Sequence, residues 1–150
     1  MRNRRRFLLQ SIALSSAPFV VRGERKKAYK VGVIGHTGRG NFGHGLDSVW
    51  KLHPQTTISG IADAEPNGLK RAQAKLKEGK AYSEYHEMLD KERPDFVAVC
   101  PRHVDQRASM IKAACEFGAK GIYVEKPFAR SLEECDLIKE ACAKSGTKLA

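Results

Sequence analysis

The chain of 150 residues has only four cysteines, and no two of them form a C-x-x-C pair. This absence excludes a zinc ribbon and a thioredoxin-type redox motif. Cys135 and Cys142 fall in one stretch of helical periodicity, where about 10 Å of helix would separate them, which is too far for a disulfide. We therefore interpret all four residues as small buried apolar side chains, namely Cys100, Cys115, Cys135 and Cys142.

The sequence also lacks an apolar run long enough to cross a membrane. The N-terminal apolar stretch that ends at Val21 is rich in serine and falls short of the ~20 apolar residues of a spanning helix. It follows the residues RRRFLL at positions 4–9, which resemble a twin-arginine export signal. We expect the twin-arginine translocase to export the folded chain to the periplasm or cell envelope. The alternative is a disordered basic tail, and signal cleavage stays open because Pro18 follows Ala17.

The N-terminal segment is the one part of the chain that almost lacks acidic residues. Residues 1–27 hold eight of the 27 lysines and arginines but only one acidic residue, Glu24. The formal net charge of +10 therefore comes mainly from the predicted signal and basic linker, and residues 28–150 are close to balanced. This distribution argues against a nucleic-acid partner.

Between residues 28 and 150, short β-branched or apolar runs alternate with segments of helical periodicity. The runs predict strands at residues 29–34, 57–62, 82–85, 94–100 and 121–125, and a sixth from residue 147. The predicted helices have the apolar faces Phe42/Leu46/Val49/Trp50, Leu69/Ala72/Leu76, Val104/Ala108/Ile111/Ala114/Cys115 and Leu132/Cys135/Ile138/Cys142. A brief helix that ends at Lys91 is also expected. This alternation is typical of an α/β fold, a Rossmann-type doubly wound parallel sheet. Because the sequence ends within the sixth predicted strand, we expect a truncated chain without a C-terminal substrate domain.

The stretch VGVIGHTGRGNFGHG at residues 31–45 contains two overlapping phosphate-loop patterns. A dinucleotide fingerprint needs its first glycine directly after the strand, for the tight turn. Only Gly35 meets that condition, so we prefer the register Gly35, Thr37, Gly40, in which Gly38 takes over the close approach to a pyrophosphate. The second register, which starts at Gly38, begins three residues too late. Arg39 is either a residue that faces a phosphate or an ordinary solvated arginine. The alternative for the whole stretch is a purely structural turn.

Asp63 follows the second predicted strand, 23 residues after Gly40. A carboxylate there accepts hydrogen bonds from ribose hydroxyls and repels a 2′-phosphate, which favours NAD over NADP. The alternative for Asp63 is a helix N-cap or a turn residue.

VEKPFA at residues 124–129 follows the fifth predicted strand, and VAVCPRH at residues 97–103 covers the end of the fourth. Together with the glycine loop, these motifs resemble the glucose–fructose oxidoreductase / inositol dehydrogenase / MocA family from about Tyr29 to Ala150. The resemblance implies that Lys126 is the active-site lysine near the nicotinamide, that Glu125 orients its loop, and that the bond before Pro127 is cis. It also implies cofactor contacts at Pro101 and Arg102, although Cys100, Arg102 and Asp105 replace the family's usual Thr, Asn and His.

The resemblance further implies an oxidoreductase that transfers hydride between a nicotinamide cofactor and a sugar or polyol, with a possible homo-oligomer. Two alternatives stay open: an NAD-dependent glycosidase of the same family, and a non-enzymatic NAD-binding module. His103 is a candidate proton shuttle or an ordinary loop histidine, whereas His36, His44, His53 and His86 receive no role. No metal site is expected. The domain organisation is then a signal and linker at residues 1–27 and an NAD(P)-binding domain at residues 28–150.

Overall fold

A computed structural model of the chain describes residues 28–150. The predicted twin-arginine signal at residues 4–9 lies outside the described residues. The described part alternates strands with helices, as the sequence predicts. The strands are β1 (Tyr29–Ile34), β2 (Thr56–Ala62), β3 (Lys80–Tyr82), β4 (Phe96–Val99), β5 (Gly121–Val124) and β6 (Lys148–Leu149). The helices are α1 (Pro66–Leu76), α2 (Tyr85–Glu92), α3 (Arg107–Glu116) and α4 (Leu132–Ser145), with a short 3₁₀ helix at Val49–Leu52.

The six strands form one sheet in the order β3-β2-β1-β4-β5-β6, and every neighbouring pair is parallel. The chain moves from β3 at one edge to β4 in the middle, so the strand order reverses between β1 and β4. This reversal leaves a crevice at the carboxyl ends of the strands, which is where ligands bind in sheets of this kind. The predicted α/β, Rossmann-type doubly wound fold is confirmed.

Helices cover both faces of the sheet, because alternate residues of each strand point to opposite sides. On one face, Ala72 and Leu76 of α1 pack in a cluster with Val33 and Ile61. On the other face, residues from the remaining helices form a second cluster: Met88 and Leu89 of α2, Met110 and Ile111 of α3, and Ile138 of α4. In the described residues, no helix combines the length and the apolar character that crossing a membrane requires.

The predicted helix over Phe42, Leu46, Val49 and Trp50 is wrong. The structure has turns from Thr37 to Ser48 and then the short 3₁₀ helix. The reason is backbone conformation, because an α-helix needs φ near −63° and positive φ values recur through the segment: Gly38 (83°), Gly40 (95°), Asn41 (56°), Gly43 (64°) and Gly45 (90°). Leu46 is nevertheless buried, so the apolar residues reach the core without a helix.

The last helix is confirmed in position but only partly in its predicted face. It ends at Gly146, which adopts a left-handed conformation with φ 74°. Ile138 is its one fully buried residue, whereas Cys135 and Cys142 are half-buried and Leu132 is 79% exposed. Leu132 therefore lies outside the core, at the first turn of α4.

Candidate functional site

The predicted site residues lie in four loops that leave the carboxyl ends of β1, β2, β4 and β5. Parallel strands bring these ends to one edge of the sheet, and the reversal between β1 and β4 opens the crevice there. The residues concerned are Gly35, Thr37, Gly38, Arg39 and Gly40 after β1, Asp63 after β2, Pro101 and Arg102 after β4, and Glu125, Lys126 and Pro127 after β5. The fold thus gathers the predicted set at one edge, while contact with a dinucleotide stays a prediction for each residue.

The glycine loop after β1 is a closed turn and leads into no helix. The backbone amide of His36 donates to the carbonyl of Asn41 at 3.1 Å, and the Asn41 amide returns a bond to His36 at 2.9 Å. Gly35 lies against Phe42, and a Cβ atom on Gly35 would come within 2.2 Å of that ring. Gly35 therefore makes the turn as expected, but Gly40 does not open a helix in either register.

The tip of the glycine loop is bound to the loop after β4. Arg39 forms an ion pair with Asp105, and His36 Nδ1 lies 2.7 Å from Gln106 Oε1. The Arg102 Nε group donates to the Gly40 carbonyl at 3.2 Å. A Cβ atom on Gly40 would lie 2.2 Å from the backbone nitrogen of Arg102, so only glycine fits there. The two loops that border the crevice consequently behave as one unit.

Asp63 holds the glycine loop from the other side. Its carboxylate accepts hydrogen bonds from the Thr37 amide at 3.0 Å, the Thr37 hydroxyl at 2.6 Å and the Glu65 amide at 2.9 Å. The residue is 1% exposed. Gly68 in α1 gives this contact its room, since a Cβ atom there would lie 1.8 Å from the Thr37 hydroxyl oxygen. Asp63 therefore orders the glycine loop, and its contact with a ribose hydroxyl stays a prediction.

Glu125 fixes the loop after β5 to the glycine loop, and its partner His44 is a residue that the sequence interpretation missed. Oε2 of the buried Glu125 carboxylate accepts from the His44 amide at 3.0 Å and lies 2.8 Å from His44 Nδ1. Oε1 accepts from the Lys126 amide at 3.0 Å. Burial raises the pKa of Glu125, but the bonds from His44 and Lys126 outweigh it and the net pKa is lowered. Glu125 is therefore a carboxylate at neutral pH.

Lys126, the predicted catalytic residue, begins the next loop with an exposed side chain. The Lys126–Pro127 peptide bond is cis, as the resemblance implies. The buried Glu125 thus anchors the backbone from which the exposed ammonium group extends.

Arg107 at the start of α3 is the largest fully buried side chain among the described residues, at 1% exposure. Its Nη2 group donates to the carbonyl of Pro101, while Nε and Nη1 have no partner in the described part of the chain. Burial lowers the pKa of this guanidinium. Arg107 thereby fixes the orientation of the Pro101 carbonyl in the loop after β4.

Cys100 directly follows β4 and is a fully buried thiol, and burial raises its pKa well above the ordinary value. It is therefore protonated at neutral pH and is not a nucleophile. His103 in the same loop is exposed, and its backbone amide donates to the Arg39 carbonyl at 3.3 Å. A proton-shuttle role for His103 stays a prediction.

A small cleft of about 60 Å³ lies beside the glycine loop, lined by residues that include Gly35, Asp63, Ser83 and Gln106. A larger groove of about 810 Å³ runs between α3 and α4, away from these loops. The chemistry points to the smaller cleft, because it opens at the carboxyl ends of β1 and β2. The described residues contain no cluster of His, Cys, Asp or Glu that would hold a metal ion.

Among the crevice residues, Gly38 leaves the most room for the diphosphate of a dinucleotide. Gly38 has a φ of 83°, and a Cβ atom there would meet nothing within 4 Å. The space beside its Cα atom is thus open to close approach, and its amide donates to Asn41 Oδ1 at 3.4 Å. Arg39 and Arg102 are exposed in the same two loops, and Asp105 pairs with Arg39. The open space favours Gly38 over Gly40 as the predicted phosphate contact.

The conformations of Gly43 and Gly38 predict different costs of substitution. A Cβ atom on Gly43 would lie 2.6 Å from Glu125 Oε2 and 2.7 Å from the Cys100 carbonyl. We expect Gly43→Ala to lower the free energy of unfolding by about 2–4 kcal/mol, through positive φ together with overpacking. The matched Gly38→Ala carries only the backbone cost, about 1 kcal/mol. Urea denaturation measures both, and equal losses would contradict the role of Gly43 in seating Glu125.

Comparison with known proteins assigns the fold and these motifs to one family. Residues 29–150 match the model of the oxidoreductase family with an NAD-binding Rossmann fold. The chain is 28% identical over 112 residues to myo-inositol 2-dehydrogenase of Thermotoga maritima, covering 75% of this chain and 33% of that protein.

Solved structures agree. A probable dehydrogenase from Thermotoga maritima is 25% identical with a TM-score of 0.69, covering 80% of this chain and 34% of its own. An NAD binding oxidoreductase from Klebsiella pneumoniae is also 25% identical, with a TM-score of 0.66, and covers 82% and 34%. The chain spans about a third of the length of these relatives. Residues 29–150 therefore belong to the glucose–fructose oxidoreductase / inositol dehydrogenase / MocA family and form its NAD-binding Rossmann domain.

Proposed function

We propose that this chain is the nucleotide-binding part of an enzyme that transfers hydride between NAD and a carbon of a sugar or polyol. The observation that carries the proposal is the Glu125–Lys126 pair, a buried anchor followed by an exposed lysine at the carboxyl end of β5. The likeness to a myo-inositol dehydrogenase supports a polyhydroxylated substrate.

In this proposal each loop has one task. The glycine loop receives the diphosphate at Gly38, where the backbone is open, and Arg39 and Arg102 neutralise its charge. The Asp63 carboxylate at the end of β2 disfavours a 2′-phosphate, which accounts for NAD rather than NADP. When bound, NAD supplies the nicotinamide carbon that accepts the hydride.

Lys126 acts on the substrate oxygen. Its ammonium group donates a hydrogen bond to the reacting hydroxyl oxygen and stabilises the negative charge that develops there as the C–H bond breaks. The hydroxyl proton passes to a general base that the rest of the enzyme, outside residues 28–150, supplies in this proposal. Glu125 takes no part in the proton transfer, because its oxygens already accept three hydrogen bonds from His44 and Lys126. Glu125 is instead a positioning residue that keeps the Lys126 backbone beside the glycine loop.

Cofactor binding is tested by titrating the full chain with NAD and NADP. We expect NAD to bind more tightly than NADP, and Gly38→Ala to weaken NAD binding roughly tenfold because the added methyl group blocks the close approach. Gly118→Ala is the matched control, since Gly118 has a φ of 84° and open space as well, but follows α3 away from the crevice. Equal effects of the two variants would contradict a phosphate at Gly38, and preference for NADP would contradict the role of Asp63.

Hydride transfer is tested with the product of the complete reading frame that encodes this chain, because the match covers only 33–34% of the length of the relatives. We expect NADH to accumulate with myo-inositol or a related polyol. We expect Lys126→Met to slow its formation by about 10²–10³-fold with little change in NAD affinity. Lys139→Met, an exposed lysine of α4, is the control and should change neither quantity. Release of a sugar without NADH would overturn the redox proposal in favour of the glycosidase chemistry.

We further propose export by the twin-arginine route to the periplasm or cell envelope, on the basis of the RRRFLL residues at positions 4–9. A reporter fused to residues 1–27 should leave the cytoplasm. It should stay there when Arg4, Arg5 and Arg6 are all changed to lysine, which keeps the charge and removes the arginines. Export of the lysine variant at the wild-type level would exclude this route.

A further inference from the structure

The helices α3 and α4 lie side by side on the same face of the sheet, and each contributes a cysteine to their contact. Cys115 belongs to the last turn of α3, and Cys142 belongs to the last two turns of α4. Their Sγ atoms are 3.8 Å apart, and both thiols are free. Neither residue lies at the carboxyl edge of the sheet, so the proposed function does not use them.

A reagent can reach this pair from solvent. Cys115 is 4% exposed, whereas Cys142 is half-buried. The groove of about 810 Å³ between the two helices is lined by Cys115 together with the small residues Ala108, Ser109, Ala141 and Ser145. Small side chains leave room there for a disulfide reagent to approach and for the two sulfur atoms to move.

We propose that Cys115 and Cys142 are a redox pair that forms an intramolecular disulfide when the protein meets a small-molecule disulfide such as oxidised glutathione. A disulfide requires an S–S distance of about 2.05 Å. The two sulfur atoms therefore have to approach each other by less than about 2 Å, which is within the reach of small side-chain and helix movements.

The reaction proceeds by two thiol–disulfide exchanges. The Cys142 thiolate, the more accessible of the two, attacks one sulfur of glutathione disulfide, which breaks that S–S bond and releases one glutathione thiolate. The Cys115 thiolate then attacks Cys142 Sγ in the mixed disulfide and releases the second glutathione. The protein loses two electrons and two protons, and the two released glutathione molecules gain them.

The surroundings of the pair set the conditions of the experiment. The pKa of Cys142 is raised to about 11 by burial and by the neighbouring Cys115 thiol. The charged groups that line the groove are balanced, with Lys112 and Glu116 from α3 and Glu140 and Lys144 from α4. The thiolate is scarce at neutral pH, so the oxidation is run at about pH 8.5, where the thiolate fraction is larger.

The disulfide would close a loop that contains β5 and the Lys126 segment. Because a crosslink of this span restricts the unfolded chain, we expect the oxidised protein to melt roughly 10 °C above the reduced protein. The disulfide would join α3, which follows the loop that contains Pro101, to α4, which follows the loop that contains Lys126.

The full chain is treated with oxidised glutathione while folded, then denatured and its free thiols counted. The wild type should lose two of its four thiols and the mass of two hydrogen atoms, and a non-reducing peptide map should link residues 115 and 142. Cys135→Ser is the matched control on the same helix, and it should still form the bond and show the same rise in Tm. Cys115→Ser and Cys142→Ser should each lose both effects.

Three results would overturn the proposal. The first is retention of all four thiols in the folded wild type. The second is a bond from Cys135 to either residue. The third is a stable glutathione adduct on Cys142 that Cys115 never displaces, because it would show that the two sulfur atoms do not meet. The wild-type measurement needs no variant, so poor folding of a serine variant would not obscure the outcome.

Discussion

The buried carboxylate of Glu125 joins the loop after β5 to the glycine loop after β1. Burial of a charge costs free energy unless hydrogen bonds replace its hydration. Here the His44 amide, the His44 ring and the Lys126 amide provide that replacement, and the pKa of Glu125 stays low. Gly43 allows the contact, because any side chain there would occupy the space of the carboxylate. The position of Lys126 relative to the crevice depends on this one interaction.

The glycine loop needs such anchors because it has no helix behind it. Repeated positive φ values prevent the i→i−4 hydrogen bonds that would order a helix, so side chains from other loops hold the segment instead. Glu125 holds one end, Asp63 holds Thr37, and the loop after β4 holds the tip through Arg39 and Asp105. Because no α-helix begins at this loop, the proposed diphosphate site relies on open backbone at Gly38 and on arginines rather than on a helix macrodipole.

The regular part of this architecture could be predicted from local patterns. Apolar runs predicted five of the six strands, and helical periodicity predicted α1, α3 and α4, because each pattern reports which face a segment buries. The third predicted strand, at residues 82–85, shares only Tyr82 with β3. The same periodicity failed at Phe42–Trp50, where the glycines set the backbone and the apolar side chains reached the core from turns. Local sequence patterns could not predict the side-chain contacts between loops or between helices, because the partners are far apart in the chain. His44 and Glu125 are 81 positions apart, Thr37 and Asp63 are 26 apart, and Cys115 and Cys142 are 27 apart. Only the register of the sheet brings such residues together.

Thr37 occupies the place that a glycine would take in the preferred fingerprint, and its hydroxyl fills the space beside Asp63. Gly68 of α1 leaves room for that hydroxyl, so the side chain of Thr37 can take this position only because residue 68 has no side chain. In the proposed function, a ribose hydroxyl at Asp63 would compete with the Thr37 hydroxyl for the carboxylate, which would exchange one hydroxyl donor for another. The Thr37 amide would keep its own hydrogen bonds to the carboxylate, at 3.0 and 3.2 Å. The glycine loop would therefore stay attached to the end of β2 while the side chain of Thr37 turns away.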